Sequence, residues 1–192
     1  MNFKPLEEFI DYVVAMRVPG ADCMVVYKNE PVFRYTAGFS DLETKAEMKQ
    51  GMLYNMYSAT KPITCVAALK LYEQGKFSLD DLLEKYLPEF SEMYVKEDGV
   101  LKKAENKITM RQLFTMTSGI AFNVRTKHIL TAKKEGRIST REIVREIAKD
   151  ALCFEPGTKW LYGLSHDVLG AVIEEISGLS FGEYLKRNIF NP

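Results

Sequence analysis

Ser58 and Lys61 stand three positions apart in the stretch Tyr57-Ser58-Ala59-Thr60-Lys61-Pro62. At the start of a helix that spacing puts an amine one turn beyond a hydroxyl on the same face, within hydrogen-bond reach of it. A serine so placed becomes a candidate nucleophile for acyl transfer, because a neighbouring base can take up its proton. The spacing alone is weak evidence, since a chain of 192 residues holds roughly one Ser-x-x-Lys by chance. What surrounds the pair has to carry the reading. Pro62 suits a first helical turn, where its missing N–H breaks no hydrogen bond. Ile63, Val66, Ala67, Leu69 and Leu71 then continue an almost wholly apolar segment to Gly75, which predicts a buried helix. The positive end of that helix would favour negative charge developing beside Ser58.

Other chemistries find less support. Only two histidines, His128 and His166, are present, and no His, Cys and carboxylate cluster has metal-ligand spacing, so neither a metal nor another cofactor is expected. Cys23, Cys65 and Cys153 are widely separated and odd in number, and read as small buried hydrophobes rather than a disulfide framework. Lys plus Arg equals Asp plus Glu at 26 each, so no global field recommends nucleic acid as a partner. No apolar run approaches the roughly 20 residues that span a bilayer, and the first residues lack a basic-then-apolar export pattern. The expectation is a cytoplasmic protein with no membrane association.

The elements that must position Ser58 and Lys61 follow from hydrophobic pattern and turn chemistry. Leu6, Phe9, Ile10, Val13 and Val14 recur at helical spacing and predict an amphipathic helix from about Pro5 to Arg17, stopped by Pro19-Gly20. Cys23 to Tyr27 and Val32 to Ala37 read as two strands of a hairpin turning at Lys28-Asn29-Glu30-Pro31, with Gly38 closing the second strand. Residues Asp41 to Gln50 read as loop. After Ser58 nearly everything is helical. Ser78 caps a short predicted helix ended by Pro88, and Glu97-Asp98-Gly99 turns a polar hairpin. Thr109 with Gln112 and Ser139 with Glu142 are capping boxes, and Ser180 with Glu183 repeats the pattern before the last helix. Between the first two lies a basic region with Arg125, Lys127, His128, Lys133, Lys134 and Arg137, readable as a solvated helix face or as a lip over an anionic substrate.

The ordered set Ser58-Ala59-Thr60-Lys61-Pro62, Leu71 through Gly75 to Asp81, Tyr86-Leu87-Pro88-Glu89-Phe90, Leu113 to Ser118-Gly119, and Glu155-Pro156-Gly157-Thr158 resembles the serine β-lactamase-related family. The resemblance covers residues from about 20 to 192 and is strongest to the branch of class C β-lactamases, D-alanyl-D-alanine carboxypeptidases and esterases. It implies an α/β (α+β) fold of the β-lactamase/transpeptidase type. One domain would occupy residues 1–192, with an N-terminal helix and antiparallel hairpin over 1–57 and a helical region over 58–192. It also implies a serine hydrolase acting on a small ester or amide: Ser58 is acylated, Lys61 assists proton removal, and Tyr162 matches the tyrosine of the family's second motif. A phenol or an amine can serve as base there only where its surroundings lower its pKa.

Two departures qualify the expectation. Leu164 occupies the substrate-binding position where the family often has an amide side chain, which points to an esterase more than to a β-lactamase or peptidase. His166, four residues beyond Tyr162, reads as a packing or surface residue that could also touch the site. The family's third motif, Lys-Thr-Gly or His-x-Gly on a later strand, has no match, and with it goes one oxyanion donor, a loss on the order of 100-fold or more in rate. The chain is therefore expected to be an N-terminal portion with weak or no activity, whose exposed sheet edge invites self-association. The alternative is a non-catalytic binding or interaction module of the same fold.

Overall fold

The structure, a computed structural model, describes residues 1–97 and 99–191. Asp98, in the expected turn at Glu97-Asp98-Gly99, lies outside the described residues, as does Pro192. Residues 1–56 form one compact unit and residues 57–192 another.

In the first unit, helix α1 (Lys4–Ala15) carries Pro5 in its first turn and is followed by Arg17 in the left-handed region. Strands β1 (Gly20–Tyr27) and β2 (Glu30–Asp41) pair antiparallel from Gly20 opposite Gly38 to Tyr27 opposite Glu30. The turn is tighter than the sequence suggests, with Lys28 and Asn29 both at positive φ, the backbone a two-residue hairpin needs. Gly38 lies inside β2 rather than at its end. Its φ is +76°, and a Cβ there would stand 2.5 Å from the Pro19 carbonyl oxygen, so only glycine fits. A third strand, β3 (Ala46–Glu47), pairs with the end of β2 where a loop is expected. Two residues are too few to show an alternating pattern. Ile10 is the one buried apolar residue of this unit, and half-buried Phe33 stacks between Phe3 and Tyr35. Asp22 accepts two hydrogen bonds from Arg34, at 2.7 and 3.0 Å, and one from the Tyr54 hydroxyl at 3.0 Å.

The second unit is built on helix α6 (Ser165–Ser177). Its Val168, Leu169, Ala171, Val172 and Ile173 are buried, and it packs against α2 (Thr60–Glu73), α3 (Met110–Phe114), α5 (Thr140–Ile147) and α7 (Phe181–Leu185). Gly178 ends it in the left-handed conformation. Leu71, Leu83, Phe90, Met110, Leu113 and Ile129 join the same core, the last from α4 (Lys127–Lys134). A small hairpin, β4 (Tyr94–Glu97) with β5 (Val100–Lys103), completes the unit.

Three expectations are corrected here. Helix α2 is not buried all round: Thr64, Ala67, Ala68 and Leu71 face the core, whereas Val66, Leu69 and Tyr72 are exposed. An apolar residue on every face leaves no periodicity from which to read the buried one. The helix expected after Ser78 is absent. Two 3₁₀ turns, Leu83–Lys85 and Pro88–Phe90, stand in its place. The Asp81 carboxylate accepts hydrogen bonds from the Ser78 backbone, the Tyr86 hydroxyl and Lys85, a local alternative to helix that holds its pKa at about 2. Among the cysteines, Cys23 and Cys65 are half-buried and Cys153 is exposed. No helix of the described residues is long and apolar enough to cross a membrane.

Candidate active site

Ser58 does not open α2. It sits in a 3₁₀ turn, Tyr57–Ala59, that leads into the helix, and Tyr57 before it is held at a φ of 43°. A non-glycine residue in that region is strained, and the strain turns the chain sharply enough to leave Ser58 exposed at the head of α2. No side chain caps α2, whose N-cap position is Ala59. The 3₁₀ turn runs straight into α2 and Pro62 carries no N–H, so what the helix start offers an anion is its positive dipole end.

Tyr162 reaches Ser58 from a loop that is tightly located. The Leu161 N–H donates to the Met116 carbonyl at 3.0 Å and the Gly157 N–H to the Thr117 carbonyl at 2.8 Å. Gly163 lies against Ile120, where a Cβ would fall 1.9 Å from the carbonyl oxygen. Only glycine permits that approach, which fixes where Tyr162 projects. Deeper in, the buried hydroxyls of Ser118 and Ser165 bond each other at 2.9 Å, tying the start of α6 to the same segment.

The Ser58 Oγ and the Tyr162 hydroxyl are 2.6 Å apart, a strong hydrogen bond between residues 104 positions distant in the chain. The Lys61 ammonium lies 5.0 Å from the centre of the Tyr162 ring, and the Phe122 ring meets the same ring at 5.6 Å and 48°. The bond with Ser58, and then bonding to and the charge of Lys61, pull the Tyr162 phenol below its ordinary pKa, against opposing effects of desolvation and of Asp167. The group so arranged can exchange a proton with the Ser58 hydroxyl.

The structure thus brings together three of the four residues singled out from the sequence. Leu164 is not among them. It is 4% exposed, occupies the N-cap position of α6, and lines a hollow with Ile120, Ile147 and Leu152 that contains none of the other three. Burial is what the hydrophobicity of an aliphatic side chain favours at that position. His166 is half-buried, with Nε2 3.2 Å from the Phe114 carbonyl oxygen and 3.6 Å from the Cys65 Sγ. It lines a cavity with Lys61, Thr64 and Asp167. The basic region holds α4, capped by Thr126, and Arg137 binds the buried Glu146 at 2.7 Å. None of its basic residues lines the cavity that contains Lys61. Sequence reasoning missed Gly163 and Asp167, because close backbone approach and shared lining are properties of the folded chain.

The fold and the site place the chain in a known class. Residues 6–192 match the Beta-lactamase family, and the protein belongs to it. Esterase EstB of Burkholderia gladioli is 32% identical over 171 residues, covering 84% of this chain and 42% of that protein. The acyltransferase CalJ of Penicillium decumbens is 32% identical over 180 residues, 88% of this chain and 43% of that one. The octameric penicillin-binding protein homologue from Pyrococcus abyssi superposes on all of this chain with a TM-score of 0.78 at 27% identity, over 43% of its own length. The architecture is that of the β-lactamase/transpeptidase fold, and the chain spans about two-fifths of the length of these relatives.

Proposed function

We propose that the protein is a serine acyl hydrolase that acts on small esters, with Ser58 as nucleophile and Tyr162 as the group that accepts and returns its proton. The observation that carries the reading is the 2.6 Å bond between the two hydroxyls beside the Lys61 ammonium. In the acylation step the Ser58 Oγ forms a bond to the substrate carbonyl carbon while its proton passes to the Tyr162 oxygen. Lys61 stabilises the phenolate from which that transfer starts. The carbonyl oxygen takes the negative charge, next to the uncapped start of α2. Collapse breaks the bond to the leaving alkoxide, which takes the proton from Tyr162. Water then attacks the acyl-serine by the same route in reverse and releases the acid with Ser58 restored. An alcohol in place of water would give acyl transfer, the activity named for one relative.

The decisive experiment is hydrolysis of p-nitrophenyl butyrate by the protein and by Ser58→Ala, with covalent labelling by a fluorophosphonate alongside. Turnover and labelling that both disappear in Ser58→Ala are the expected result. Labelling that persists in that variant rules out Ser58, and a wild-type protein that binds the ester without a covalent adduct is a binding module.

A further inference from the structure

A cavity of about 300 Å³ lies between α2, α5 and α6, with Phe181 of α7 against it. Tyr57 and Lys61 stand in its lining, the residues immediately before Ser58 and one helical turn beyond it. Ile143, Val144 and Phe181 give it apolar walls, and Thr60, Thr64 and Thr140 add uncharged polar ones. Neither Ser58 nor Tyr162 lines it. The hollow therefore adjoins the nucleophile through its chain neighbours Tyr57 and Lys61.

Gly170 forms part of the lining, in the middle of α6. Its φ is not positive, and a Cβ there would meet the Thr140 Cγ2 at 3.8 Å and the Phe181 Cδ2 at 3.9 Å, ordinary van der Waals distances. Neither backbone nor packing demands glycine at this place, and glycine inside a helix destabilises it relative to alanine. What glycine provides is open volume.

We infer that this cavity receives the acyl chain of the substrate, an uncharged aliphatic chain, and that Gly170 sets the length it accepts. This rests on the acyl-hydrolase reading above. The cavity begins at Tyr57 and Lys61, which flank Ser58 along the chain. The acyl group also stays bonded to Ser58 through both steps, next to Tyr57 and Lys61. About 300 Å³ holds roughly ten groups of the size of a water molecule, which suits a chain of up to about eight carbons.

The test compares p-nitrophenyl acetate with p-nitrophenyl octanoate in the wild type, Gly170→Ala and Gly170→Leu. The leucine variant is expected to lower the octanoate-to-acetate ratio of kcat/KM by about tenfold or more, the scale on which pocket methylenes discriminate. The alanine variant, which adds one methyl at ordinary contact distance, should lie between, and it serves alone if the leucine variant does not fold. A ratio within about twofold of wild type in every folded variant overturns the assignment. Binding of methyl octanoate to Ser58→Ala, with and without Gly170→Leu, separates this inference from the proposed function. Binding weakened by Gly170→Leu in a protein that hydrolyses nothing sustains the chain-binding cavity and removes the hydrolase. Binding indifferent to that change removes the cavity's role whatever the activity.

Discussion

The helices of residues 57–192 begin in two different ways. Helices α3, α4, α5 and α7 start under a side-chain oxygen, from Thr109, Thr126, Ser139 and Ser180. Helices α2 and α6 start at Ala59 and Leu164 with no side-chain cap. Those two bear or adjoin the site: Ser58 and Lys61 at the head of α2, Tyr162 just before α6, His166 and Asp167 in its first turn. Where a helix only supports the fold, its N-terminal donors are satisfied locally, worth about 1 kcal/mol per cap. At the heads of α2 and α6 no side chain engages them, and under the proposed reaction the positive end of α2 lies beside the charge that develops at Ser58.

The contrast can be broken or sharpened by substitution. The largest effect is expected from Tyr162→Phe, which removes the partner of Ser58 and leaves the ring with Phe122 and Lys61. Fluorophosphonate labelling of Ser58 should slow by roughly 10²- to 10⁴-fold at an almost unchanged melting temperature, and a labelling rate equal to wild type would take the proton-transfer role from Tyr162. Next comes Gly163→Ala. The added methyl cannot occupy a point 1.9 Å from a carbonyl oxygen, so the loop must shift, at a cost of about 1–3 kcal/mol in urea unfolding. Labelling should fall with stability, and a drop in only one of the two would separate loop position from fold. Ser139→Ala removes a reciprocal capping box on α5, should cost about 1 kcal/mol, and should leave the labelling rate untouched.

The smallest shift concerns pH. Labelling is expected to rise as Tyr162 loses its proton, at a pH below the ordinary tyrosine value of 10.0 because Ser58 and Lys61 favour the phenolate. In Lys61→Met the cation is gone, the phenol pKa rises, and the rising limb should move to higher pH. A limb that stays in place assigns the titration to another group.

The capping boxes at Thr109 and Ser139 were legible because a cap is a local device: the two residues that exchange bonds are three apart in the chain. The hairpin was legible for the same reason. Tyr162 was another matter. Nothing in its neighbourhood announces contact with Ser58, and its role came from resemblance to a family rather than from spacing. At position 164 the leucine is buried as its own hydrophobicity directs, a placement that its residue type alone makes legible. Strand β3 and the 3₁₀ turns after Asp81 were illegible because two paired residues make no pattern, and because a carboxylate that captures nearby donors can outcompete helix formation. Gly163 and Gly170 look alike in the sequence. One is required by a carbonyl pressed against it and the other would take a methyl at ordinary contact distance, a difference that belongs wholly to the fold.

The bond between Ser58 and Tyr162 closes a span of 104 positions. A loop that long is entropically costly to close early, so contacts of this kind form late in folding and depend on most of what is folded in between. Under the proposed reaction, labelling of Ser58 is thus a clock for maturation. A chain with its helices formed and α6 not yet docked would carry every residue of the site and remain inert, and the first moment at which it acquires a covalent label would mark the completion of the whole unit from Tyr57 onward.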